Sequence, residues 1–146
     1  PGKSDMDTIP RRGKRFDAPL FDQTVFFTTD RGDYNAALAK LGHGPCPDIA
    51  GGMGGKYTSA EGDVMFIIGV FNQRYSTLAH EVAHICFFLC EFVGVPVENG
   101  AVNETYCYLM GALYGSLYPH LSDSNAAYNK ADDKRRKEKK RAARKA

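Results

Sequence analysis

The chain has 146 residues, the length of one domain with one core. Hydrophobic residues make up 43% and charged residues 25%, the proportions of an ordinary soluble globular protein. The longest strongly apolar stretch, residues 85–97, is interrupted by Glu91 and is too short to cross a bilayer, which argues against a membrane partner. The net charge of +2 hides an asymmetry: residues 130–146 carry ten Lys or Arg against three acids, and residues 1–129 carry nine against fourteen.

Residues 1–22 hold Pro1, Pro10, Pro19, Gly2, Gly13 and many charges, and predict an extended arm. Their charges are not followed by an apolar segment, so no secretory signal is expected and the protein is expected to be intracellular, in the cytoplasm. "QTVFFTT" (23–29) is β-branched and aromatic and predicts a strand. Asp30 or Asp33 then caps a helix carried by residues 34–41 and stopped by Gly42. Residues 43–63 are turn-rich, with a short strand near 54–58. Within them "GGMGGKY" lacks the spacing of a phosphate-binding loop, so it predicts a flexible loop near a substrate-binding edge, and His43 a loop residue. "DVMFIIGVFN" (63–72) is the strongest strand, paired in a hairpin with 54–58 through "SAEG".

Ser76 or Thr77 is expected to cap the next helix, which runs to about residue 93 and ends at Gly94-Val95-Pro96. Asn103 caps a further helix, residues 104–118, which Pro119 stops. Beyond residue 122 the chain is rich in Ala, Lys and Arg and has no apolar stripe to bury. The fold class expected is α+β: a small antiparallel or mixed sheet packed on two helices. Cys46, Cys86, Cys90 and Cys107 read as small buried thiols rather than a disulfide framework.

The chemistry concentrates in "LAHEVAHICFF" (78–88). On a helix, residues four apart share a face, so His80 and His84 can aim their imidazoles at one ion. Glu81 is turned about 100° from His80, which puts its carboxylate beside the ion rather than on it. Zinc peptidases use this arrangement, with an adjacent carboxylate taking a proton from water and delivering it to the leaving amine. A catalytic zinc needs three protein ligands, and Glu91, Glu98, Glu104, His120 and Asp123 are the downstream candidates. Glu91 is two turns from the histidines, about 10 Å along the axis, and too far. Glu104, twenty residues after His84, would return beside them on an antiparallel helix.

"HEVAH" followed at this distance by "NETYCY" resembles the gluzincin clan of zinc metallopeptidases. The resemblance covers about residues 60–118 and is similar to that of short HExxH proteins of bacteriophages and, more distantly, ImmA/IrrE-like peptidases. It implies a minimal zincin-like domain over 23–121 between the arm (1–22) and a basic tail (122–146). It implies Zn2+ held by His80, His84 and Glu104, with Glu81 as the catalytic carboxylate and Asn103 as the neighbouring amide. It also implies that the strand before the motif is an edge to which substrate adds as a further strand. Where the clan has an aspartate that orients a zinc histidine, this chain has Tyr108, so the phenol is the candidate for that role. The clan's second lobe, which supplies an oxyanion-stabilising group, has no counterpart, so the helper must be local: Tyr106, Tyr108, Tyr114, Tyr118 or His120.

The expected function is a zinc-dependent peptidase acting on a protein or peptide. A different class is a binding or structural protein on the same scaffold, virion- or nucleic-acid-associated through its tail. A regulator that cleaves a DNA-bound protein would join both. Contact of residues 130–146 with nucleic acid or another polyanion should be salt-sensitive and non-specific, and no aromatic residue follows Tyr128 to stack on bases.

Overall fold

A computed structural model describes residues 13–18, 21–98 and 103–121, together with positions 134, 137, 138 and 141–144 of the tail. The elements are β1 (Lys14–Ala18), β2 (Gln23–Thr28), α1 (Arg31–Lys40), β3 (Gly52–Thr58), β4 (Val64–Val70), α2 (Tyr75–Val93) and α3 (Glu104–Leu117), followed by one 3-10 turn, Tyr118–His120. The fold is α+β with a four-stranded mixed sheet in the order β1-β2-β4-β3. β1 pairs antiparallel with β2, β2 parallel with β4, and β3 antiparallel with β4.

The unbroken apolar run of β4 has a simple cause: the strand is central and both of its faces are covered. Phe66, Ile68 and Val70 join Val25 and Phe27 of β2 against α2 and α3. Met65 and Ile67 join Phe26 in a second cluster, closed by Tyr34 and Leu38 of α1. Asp30 caps α1, its Oδ1 accepting from the Asp33 N–H at 2.8 Å, so Asp30 rather than Asp33 is the cap.

α2 buries Leu78, Val82, Ile85 and Leu89, a stripe at helical spacing, against the sheet. Each such side chain contributes about 1.5–3 kcal/mol by leaving water. By length and composition α2 would also suit a membrane span, but its apolar stripe is the one the core buries. Gly94, at φ 76°, ends the helix in the left-handed conformation. Tyr75, at the start of α2, meets Tyr118 just past α3, and Ala83 and Phe87 meet Tyr106 near the start of α3. The two helices therefore run antiparallel.

Four local expectations change. Residues 14–18 are not a free arm but a strand paired along its length with β2, while residues 1–12 lie outside the described residues. The hairpin expected between residues 54–58 and β4 is present, but β3 begins earlier, at Gly52, so most of "GGMGGKY" is strand rather than loop. The strand preceding the motif, β4, is internal, and the edge beside α2 is β3. α2 starts at Tyr75 with Arg74 in the cap position and no side-chain cap, so Ser76 and Thr77 lie in its first turn.

Candidate metal centre

The stripe that anchors α2 leaves His80 and His84 on its exposed flank. Their Nε2 atoms face each other at 3.1 Å, with ring centroids 4.7 Å apart. Two nitrogen ligands at about 2.0–2.1 Å from a tetrahedral zinc would stand about 3.3–3.4 Å apart. The observed separation is thus within a few tenths of an ångström of what one ion requires. His80, Glu81 and His84 offer ligand atoms all within 4.8 Å of one another, a group that can hold a metal ion.

Glu81 is 8% exposed and packs against β3 while its carboxylate stays beside the two imidazoles. Glycine makes this approach possible. A Cβ on Gly54 would stand 2.9 Å from the Glu81 carbonyl oxygen and 3.3 Å from its Oε2, and one on Gly52 would stand 3.2 Å from Glu81 Cγ. The Gly54 backbone lies against the Glu81 side chain, and its N–H favours the charged carboxylate. Burial pushes the Glu81 carboxyl up from the ordinary carboxylate range, and the imidazoles of His80 and His84 and the Gly54 N–H pull it partly back. A carboxylate so raised is a better proton acceptor near neutral pH than a solvated one.

Glu104 opens α3, is exposed, and is not part of the 4.8 Å group. Two residues on, Tyr106 donates its hydroxyl to the Ala83 carbonyl at 3.3 Å and packs on Phe87 at 4.7 Å, so this end of α3 lies along the histidine-bearing turns of α2. Asn103 occupies the cap position without a side-chain cap bond; its Nδ2 donates to the Glu98 carbonyl at 3.0 Å. Its buried Oδ1 has no partner among the described residues. Tyr108 is 71% exposed, and the phenol in contact with α2 is that of Tyr106. Tyr114 and Tyr118 stack on each other at 6.1 Å, near Tyr75. His120 takes the Lys14 ammonium at 2.9 Å on its Nδ1 and lies against Phe16, so it serves the β1 junction.

Sequence reasoning missed the other wall of the centre. A cleft of about 370 Å³ runs from His80 and Glu81 between β3 and the first turn of α2, lined also by Gly51, Gly52, Asn72, Ser76 and Thr77. Asn72 Nδ2 donates to Thr77 Oγ1 at 2.9 Å, and Asn72 Oδ1 accepts from the Arg74 N–H at 3.1 Å. The signal in the sequence is Asn72, at the end of the strand 63–72 and five residues before Thr77. A second, apolar groove lies on the other flank of α2, lined by Ala79, Cys107, Met110, Gly111 and Tyr114.

Set against known protein families, curated proteins and solved structures, the chain matches none. The class that fold and site define is therefore an α+β domain with an HExxH-spaced group able to hold a metal.

Proposed function

We propose that the protein is a zinc-dependent metallopeptidase that hydrolyses a peptide bond in a protein or peptide. The observation that carries the reading is Glu81: a buried carboxylate beside two converging imidazoles, held on the sheet's glycine-rich edge strand. A metal site that served structure alone would have no use for a carboxylate held in this way beside an open edge. His80 and His84 would hold the ion, and the exposed Glu104 carboxylate at the start of α3 would be the third ligand. Zinc in such a site supplies Lewis acidity to the substrate carbonyl and makes water acidic enough to lose a proton near neutral pH.

The chain's own residues do the rest. Glu81 accepts the proton of the attacking water and later hands it to the departing amine. β3 offers its outer edge to the substrate backbone, which extends the sheet by one strand and lays the scissile bond beside Glu81. Gly52 and Gly54 of β3 leave room for Thr77 and Glu81 against that strand.

The test is hydrolysis of a mixed peptide digest by zinc-loaded protein, followed by mass spectrometry, with wild type and Glu81→Gln side by side. Wild type should cut, and Glu81→Gln should hold the same zinc while its rate falls by about 100-fold or more. Equal activity in the two would remove Glu81 from the chemistry. Failure of the zinc-loaded wild type on every peptide would remove the peptidase reading.

A further inference from the structure

Building on the peptidase reading, we propose that the cleft at the start of α2 receives the substrate side chain next to the scissile bond. Asn72, Ser76 and Thr77 make it select a short polar side chain, such as that of Ser, Thr or Asn, over an aliphatic one. The cleft begins at His80 and Glu81 and is bounded by Gly51 and Gly52 at the start of the edge strand. A peptide laid on that edge points alternate side chains to the α2 side of the sheet. The one nearest Glu81 has this cleft to enter.

The lining is a set of hydrogen-bonding groups with capacity left over. Asn72 Oδ1 is engaged by the Arg74 N–H, and one hydrogen of Nδ2 goes to Thr77 Oγ1. The second Nδ2 hydrogen, the Thr77 hydroxyl hydrogen and the Ser76 hydroxyl are left for a ligand. Two glycines hold the strand close to this pair: a Cβ on Gly51 would collide with the Asn72 amide, and one on Gly52 would stand 2.5 Å from Thr77 Cγ2 and 2.8 Å from the Gly69 carbonyl oxygen. A short polar side chain satisfies the converging donors. An aliphatic one displaces their water and returns nothing, which is the arrangement that discriminates most strongly.

The experiment measures binding of amino-acid hydroxamates to the zinc-loaded full chain by calorimetry. The hydroxamate provides a metal-binding group, and the side chain is varied through Gly, Ser, Asn, Leu and Phe. The Ser and Asn compounds should bind about three- to tenfold tighter than the Leu compound, the range of one net hydrogen bond. Thr77→Val, nearly isosteric, and Asn72→Leu should each bring that ratio to about one or reverse it, with the Gly compound, which has no side chain to place, as the reference. Tighter binding of Leu or Phe by wild type would overturn the proposal, as would a ratio that neither variant moves. If the zinc-loaded protein binds no hydroxamate, the Gly compound included, the metal centre itself fails and the pocket falls with it.

Discussion

Burial acts in the same direction on Glu81 and on Cys86, five residues further along α2, but to different ends. It leaves Glu81 a more willing proton acceptor. It pushes the Cys86 thiol up to about 12, with Cys90 adding to the effect, so Cys86 stays protonated and inert near neutral pH. Cys107, by contrast, is exposed, while Cys46, Cys86 and Cys90 are buried. Alkylation of the native protein at pH 8 should therefore label Cys107 and spare the other three until denaturant is added, as read by peptide mass spectrometry; native labelling of Cys86 would contradict the packing of α2. At this scale the sequence was legible where the signal is local. His80, Glu81 and His84 follow from spacing on one helix. The choice between Tyr106 and Tyr108 did not, because two residues on a helix differ by about 200° and the answer depends on which side of α3 faces α2. The sequence offers Ser76 or Thr77 as a cap, whereas the Thr77 hydroxyl is an acceptor for Asn72 in the cleft wall.

β3 is the element that propensity reads only in part: residues 54–58 are expected as strand, but the start at Gly52 is not. Four glycines in seven residues from Gly51 argue for a loop, yet the segment pairs with β4 from Gly52↔Val70 to Thr58↔Val64. The glycines answer a tertiary demand: α2 crosses close above, and only Gly leaves room for Glu81. Gly54→Ala should accordingly destabilise the fold by about 1–3 kcal/mol, the usual penalty of overpacking, read as a lower urea midpoint. An unchanged midpoint would mean that helix and strand are not in the contact described. β4 was legible as the strongest strand because a strand covered on both faces is apolar throughout. Its central place was not legible, since parallel pairing of β2 with β4 joins segments separated by α1 and β3. The ends of α1 and α2 were easier, because Asp30 and Gly94 act through their own local conformation.

Taken whole, the molecule divides its charge between a mildly acidic body and a basic end. The described tail positions, 134, 137, 138 and 141–144, are helical and exposed. Ten Lys or Arg within residues 130–146 should bind a polyanion by releasing counterions. The 146-residue chain should bind duplex DNA of any sequence with an affinity that falls steeply as salt rises, and deleting residues 130–146 should remove that binding and leave thermal unfolding of the body unchanged. Binding that persists without the tail or ignores salt would refute this. The α+β class and the antiparallel pair of motif-bearing helices were legible from the order of periodic segments. The strand at 14–18 was not, because KRFDA is too charged to show a buried face and its partner β2 supplies the pairing. The proposed metal centre requires α2 and α3 together to hold one metal ion. The most direct measurement is elemental mass spectrometry of untagged protein purified with zinc supplied, alongside His84→Ala and Glu104→Ala. Wild type should carry about one zinc per chain, and both variants should lose it. Wild-type protein free of zinc under those conditions would contradict the proposed centre, and zinc retained in full by Glu104→Ala would contradict the three-ligand set.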